Sequence, residues 1–279
     1  MSPALRRFGR HRLAVVGLVC LVLVVAASAA APLLTRYTPT QQSFTRRLQG
    51  PSAEHVLGTD QFGRDIYTRV LYGGRLSVLF GVAAVAIGLA AGGSLGLAAG
   101  YFPRVDGPAM RAMDVLLSFP AVLLAIIVVA ILGPGLGTVM LAVGVRQIPA
   151  YARMVRGAVL VVKALPYAEA AVALGSTHWR TIRSTIVPNC VAPVLVFSTL
   201  QVANAILLAS ILSFLGLGVQ PPAAEWGIMV NQGRAFLRDA PHVAIVPGLA
   251  IFLVVMSFNM IGDGLRDSLD VRLRDGSHS

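Results

Sequence analysis

Charge is scarce in this sequence. Only 13% of its residues are Asp, Glu, Lys or Arg, roughly half the share found in soluble domains. Acidic residues are the rarer sign, twelve against 23 basic ones, and Lys163 is the one lysine among arginines. Cysteine is nearly missing. Cys20 lies inside an apolar run and Cys190 just past a Pro-Asn pair, which excludes a disulfide framework. The five histidines are scattered, no His, Cys or carboxylate cluster has ligand spacing, and no metal site is expected. A Gly-x-x-x-x-Gly-Lys-Ser/Thr phosphate loop is lacking, so the chain cannot hydrolyse ATP by itself. No nucleophile constellation suggests a membrane enzyme, and no catalytic residue is expected. The net charge of +11 is not gathered into a basic stripe with interleaved aromatics, which argues against nucleic acid as a partner.

What is present is apolar. The chain is 56% hydrophobic with mean hydropathy +0.75. A helix needs about 20 apolar residues to cross the hydrocarbon core, and the sequence offers six such runs: Leu13–Leu34, Leu76–Tyr101, Met113–Leu132, Leu136–Met154, Val191–Leu215 and Val243–Gly262. The first also resembles a secretory signal peptide, with Ala27-Ser28-Ala29-Ala30-Ala31 as the cleavage site, but its 22 residues favour a retained helix. Backbone amides in lipid must pair within the segment, so the runs are helices and the fold class is an all-α membrane protein with six transmembrane helices. Six crossings put both termini on one side. With Arg6, Arg7, Arg10 and Arg12 inside, the cytoplasmic flanks hold fifteen of the 23 basic residues, in keeping with the positive-inside rule. The expected division is 1–34 for the basic N-terminus and first span, 35–75 for an external segment, 76–262 for the core with a cytoplasmic loop at 155–190, and 263–279 for a cytoplasmic tail.

The loop between the fourth and fifth runs carries the most structure. Pro166 suits the first turn of a helix that reaches Leu174 and stops at Gly175. Ser176 or Thr177 caps a second short helix that ends at Pro188, with Trp179, Ile182 and Ile186 on one face. Ala170, Ala171 and Ala173 keep the first helix slim, and Glu169 sits in the first turn, where the helix dipole favours negative charge. These features fit a knob that enters a groove on another protein, or a hairpin lying on the membrane.

Glu169-Ala170-Ala171, then Gly175, then Pro188 after twelve intervening residues, resembles the EAA loop of ABC importer permeases. Val187 departs from it where leucine is usual. Leu57-Gly58-Thr59-Asp60-Gln61-Phe62-Gly63-Arg64-Asp65, Tyr72-Gly73-Gly74-Arg75, the segment Ser213 to Pro222, Glu225-Trp226-Gly227 and Gly262-Asp263-Gly264-Leu265-Arg266-Asp267 are similar to stretches of dipeptide, oligopeptide and nickel permeases. Together they cover about Val56 to Arg274 and point to the C-type permease of the pair. Residues 35–55 carry no usable motif. The resemblance implies the type I ABC importer permease fold with cytoplasmic coupling helices, in a multi-pass protein of the bacterial or archaeal cytoplasmic membrane. It implies as partners a B-type permease subunit, two ATP-binding subunits and an extracytoplasmic substrate-binding protein. ATP and Mg then belong to the partners, and this chain holds no cofactor. Closure of the ATPases would rock the membrane helices through the coupling helices.

Other residues are weighed singly. Arg146 falls near mid-membrane and either lines a translocation pathway or snorkels toward the interface. Gln201, Asn204 and Asn259 line the pathway or bond across helices. Asp60, Arg64 and Asp65 contact the binding protein or brace a turn. An ion-coupled secondary transporter is disfavoured, because the second, fifth and sixth runs lack carboxylates. No histidine pair suits nickel, which tilts the expected cargo toward peptides.

Overall fold

The computed structural model describes residues 8, 9 and 11–269. Arg6, Arg7 and Arg10, and the greater part of the 263–279 tail, lie outside the described residues. The described chain is helical, and its one β-type pairing is an isolated bridge between Thr59 and Asp65. Nine helices organise it: α1 Arg12–Ala29, α2 Ile66–Tyr101, α3 Pro103–Ser118, α4 Ala121–Leu132, α5 Leu136–Lys163, α6 Pro166–Ala173, α7 His178–Phe214, α8 Trp226–Gly233 and α9 His242–Leu269. By length and composition α1, α2, α7 and α9 each suffice to cross a bilayer, and α3 with α4 make a fifth crossing if taken as one broken span. At 28 residues α5 is about 42 Å long, but Arg146, Arg153 and Arg156 interrupt its apolar character.

The expected third span, Met113–Leu132, is not one continuous helix. It is bent by 90° between α3 and α4. Pro120 has no N–H to continue the helix and pushes the preceding residue out of the helical region; Phe119 is extended, at φ −85°, ψ 132°. The second and fifth runs both extend further than their apolar cores. Each passes through a π-turn, Leu89–Gly93 in α2 and Ile182–Ile186 in α7.

Helix α1 packs against α9 and α2. Arg75 closes its C-terminal end, donating from Nε to the Ser28 carbonyl and from Nη2 to the Ala29 carbonyl, each at 2.7 Å; these are carbonyls the helix cannot satisfy itself. His11 Nε2 lies 3.2 Å from Asp267 Oδ2, so the start of α1 meets the end of α9. The tightest seam joins α2 to α5. A side chain at Gly92, Gly96 or Gly100 would run into the backbone of α5 at Ile148, Ala152 and Arg156. Glycines four residues apart let membrane helices approach at backbone distance, where packing replaces the missing hydrophobic drive. Gly96→Leu must push against the Ala152 Cα at 3.0 Å. It is expected to destabilise the subunit by about 1–3 kcal/mol, read as a lower melting temperature in detergent; an unchanged melt contradicts the close approach.

Candidate functional site

The loop after α5 projects from one end of the bundle. Helix α6 begins at Pro166, and its first-turn amides of Ala168 and Glu169 reach the Leu165 carbonyl at 2.9 and 3.3 Å. It stops at Gly175, whose φ of +80° lies in the left-handed region that favours glycine. The Leu174 amide donates to the Ala170 carbonyl at 3.0 Å and the Ser176 amide to the Ala171 carbonyl at 3.1 Å, a Schellman closure. Thr177 then caps α7, accepting from the Arg180 amide at 3.4 Å. Glu169 and Ala170 are exposed and Ala171 half-buried. Around them apolar groups stand in the open: Leu174 is 89% exposed and Trp179 71%. The base of the loop is fastened, with Tyr101 Oη 3.0 Å from His178 Nδ1 and Lys163 Nζ donating to the Tyr101 carbonyl at 2.9 Å.

Two expectations about this loop are corrected. Pro188 does not end the second helix; α7 runs through it from His178 to Phe214. The π-turn just before Pro188 loosens the bonding ladder where the proline has no donor, and Asn189 Nδ2 donates to the Thr185 carbonyl at 2.7 Å. The same turn changes the register. Ile186 and Cys190 are buried, whereas Trp179 is turned outward rather than sharing their face.

A second feature lies at mid-helix. Arg146, Gln147, Gln201 and Asn204 line one cleft of about 390 Å³ between α5, α7 and the start of α4, with Val143 and Leu208 on its apolar wall. Gln147 is buried and donates to the Gln201 carbonyl at 3.0 Å. Asn204 Nδ2 lies 3.4 Å from Gln201 Oε1. Arg146 is half-buried, and its Nε is buried without a hydrogen-bond partner. Two neighbours on α5 are paired, Arg153 with Asp114 and Arg156 with Asp106, the latter bidentate at 2.5 and 2.6 Å. Arg146 has no carboxylate partner among the described residues. Three of the four sequence-derived pathway residues therefore meet; Asn259, half-buried on α9, is not among those lining the cleft.

At the opposite end of the bundle, residues 43–65 fold into a compact turn over α2. Asp60, Arg64 and Asp65 are buried, which of the two readings favours bracing a turn over direct contact with a binding protein. Arg64 Nε donates to Asp60 Oδ2 at 2.6 Å and its Nη2 to Gln232 Oε1 at 3.0 Å. Asp60 Oδ1 accepts from the Phe62 and Arg64 amides at 2.8 and 3.0 Å. Asp65 caps α2, accepting from the Thr68 amide at 2.7 Å, and meets His55 Nδ1 at 2.9 Å. Their chemistry is bracing.

The same region holds residues to which the sequence assigned no role. Glu225 is fully buried and caps α8, accepting from the Gly227 and Ile228 amides at 2.8 and 3.0 Å and from Ser77 Oγ at 3.3 Å. Burial pushes its carboxyl up from the ordinary value, opposed by those donors. Arg69 donates to the Pro39 carbonyl at 2.8 Å and lies 3.5 Å from Asp60. The Glu225-Trp226-Gly227 stretch is visible in the sequence, but its pairing with α2 is a long-range contact that no local pattern encodes.

The described residues thus form an all-helical bundle with several helices apolar enough to cross a membrane and a capped, exposed loop. A family model described as binding-protein-dependent transport system inner membrane component matches residues 82–275, and one described as N-terminal TM domain of oligopeptide transport permease C matches residues 2–51. The glutathione transport system permease protein GsiD of Pectobacterium atrosepticum is 46% identical over 96% of this chain and 90% of its own length. The dipeptide transport system permease protein DppC of Alkalihalophilus pseudofirmus is 45% identical over 97% and 90%. Among solved structures, the inward-facing MetNI methionine ABC transporter aligns with TM-score 0.60 and 18% identity, covering 72% of this chain and 96% of that one. An amino acid ABC transporter crystallised with histidines gives TM-score 0.56 and 16% identity, covering 71% and 92%. These two define the fold as that of ABC importer membrane subunits. The protein is thus an integral inner-membrane permease, a transport component and not an enzyme. It belongs to the binding-protein-dependent transport system inner membrane component family, and its relatives are named as glutathione, dipeptide and peptide transport permeases.

Proposed function

We propose that this subunit forms half of the translocation pathway of an ATP-driven importer of peptides, and that its partners drive it through Glu169, Ala170, Ala171 and Gly175. The observation that carries this reading is the loop itself: a slim, capped helix followed by two large exposed apolar side chains at its rim, Leu174 and Trp179. Exposed apolar groups clustered at the end of a membrane bundle favour a protein groove as their cover. Pro188 belongs to the supporting stem of α7. The fastening of His178 to Tyr101 gives the loop a direct connection to α2, so a push on the loop moves both long helices.

In this reading the chain crosses the membrane six times with both termini in the cytoplasm; the meeting of His11 with Asp267 supports placing the two ends on one side. Arg146, Gln201 and Asn204 face the solute, with Asn259 a more distant candidate. A B-type permease supplies the other half of the pathway. Two ATP-binding subunits hold ATP and Mg, and an extracytoplasmic binding protein presents the cargo. Peptides are favoured because relatives similar along almost the whole chain are named for glutathione and dipeptide transport.

The test is uptake by the complete complex in sealed vesicles with its own binding protein. Accumulation of a labelled dipeptide is expected to follow ATP supplied on the cytoplasmic face and to survive collapse of the proton gradient. Uptake that follows the gradient and ignores ATP contradicts the proposal.

A further inference from the structure

We infer that the Arg146 cleft is a recognition subsite for the carboxylate of a small solute on its way through the subunit. The inference rests on the permease reading above and adds what the pathway selects. Arg146 lies ten residues into α5, about 15 Å from its start. In the six-span reading that depth exceeds the headgroup layer, which favours a small solute over a lipid phosphate as the acceptor. A cation held there without a counter-ion is costly in low dielectric, and its neighbours on the same helix, Arg153 and Arg156, both have carboxylates. The buried, unpartnered Nε is a donor waiting for an acceptor. Guanidinium and carboxylate match in geometry as well as charge.

The groups beside it are amides. Gln201 and Asn204 hold donors and acceptors at the cleft surface, the complement of a peptide bond. Val143 and Leu208 supply an apolar wall for a side chain. A volume of about 390 Å³ falls at the small end of ligand sites. It suits a solute of two or three residues better than a long chain. Anchoring is weak by design: a pathway site must also release what it binds.

The experiment uses the complete complex in vesicles with its binding protein, and two probes, alanyl-phenylalanine and the same dipeptide as its C-terminal amide. For each probe the ratio of variant to wild-type uptake is taken, so any preference of the binding protein cancels. Arg146→Gln is expected to lower uptake of the free acid on the order of tenfold, the scale of one charge-assisted hydrogen bond, and to change amide uptake by less than about twofold. Arg146→Lys, which keeps a point charge but loses the fork, is expected to recover most of the free-acid uptake. Equal effects on both probes, or no difference between the Gln and Lys variants, overturn the subsite. Failure of the Arg146→Gln subunit to co-purify with its partners assigns the arginine to assembly and overturns it too. Absence of ATP-dependent uptake of either probe by the wild type overturns the peptide reading itself, a result distinct from the others.

Discussion

Glu169→Lys and Gly175→Val are expected to abolish ATP-driven uptake while the subunit still folds and inserts. Glu169 is exposed and makes no side-chain bond that holds the bundle together, so its reversal costs the fold little beyond the dipole term of about 0.3–1 kcal/mol. Its effect falls on whatever meets the loop. Gly175 acts differently. Nothing lies within 4 Å of a side chain placed there, so space is not the constraint. Its φ of +80° is, and an L-residue held there loses about 1–2 kcal/mol, more when β-branched. That strain opens the closure between Ser176 and Ala171 and lets Leu174 swing away. ATP hydrolysis by the partner subunits, measured beside uptake in the same vesicles, is expected to continue without transport. Gly175→Ala is the milder version. Normal transport by Glu169→Lys and Gly175→Val together would remove the loop from the coupling mechanism.

Asp60→Ala is expected to be the most damaging change outside the loop, through stability alone. Asp60 is 4% exposed and Arg64 and Arg69 at most 1%, and Asp60 accepts from both the Arg64 side chain and two backbone amides. Removing one member of a buried pair costs about 3–5 kcal/mol because the other is left charged and unpaired. Here two arginines lose their shared acceptor. The turn over α2 also carries the Asp65 cap and the Arg64–Gln232 link to α8, so the loss spreads to that end of the bundle. A fall of roughly 10 °C in melting temperature in detergent is expected, scaling about 2–4 °C per kcal/mol, with faster proteolysis at residues 43–65. A melt like wild type would mean that the network is not buried as described.

The sequence and structure agree best where the physics is local. Hydropathy marks α1, α2, α7 and α9, because a span needs only apolar length; α5, interrupted by Arg146, Arg153 and Arg156, stands out less. The start of α6 at Pro166 and its end at Gly175 follow from one proline, one glycine and a run of alanines, and Thr177 caps α7 as a hydroxyl before a helix does. Pro188 misled for an equally local reason. A proline usually ends a helix, but a π-turn ahead of it leaves the backbone a way through, and nothing in Ile182–Ile186 announces that turn. The 90° break at Phe119–Pro120 falls inside the run Met113–Leu132, where Pro120 is the one local sign of it.

Long-range pairing was out of reach. Asp60, Arg64 and Asp65 read as a charged external stretch, and only the fold shows that Arg64 reaches Gln232 and that all three are enclosed. The cleft shows the opposite case. Arg146, Gln201 and Asn204 are each conspicuous in an apolar run, and the packing of α5 on α7 brings them together. Asn259 was equally conspicuous and lies on another helix.

The claim that a partner drives this subunit through the loop is tested most directly by cross-linking from its tip. Leu174 is the most exposed of the large apolar side chains described, and it sits one residue before Gly175, which closes the helix in the left-handed region. Leu174→Cys, carrying a short photoactivatable thiol reagent in the assembled complex, is expected to form one specific adduct with an ATP-binding subunit, altered in yield when nucleotide is bound. Labelling confined to lipid or to this chain, with the ATP-binding subunits present and unmodified, would contradict the account.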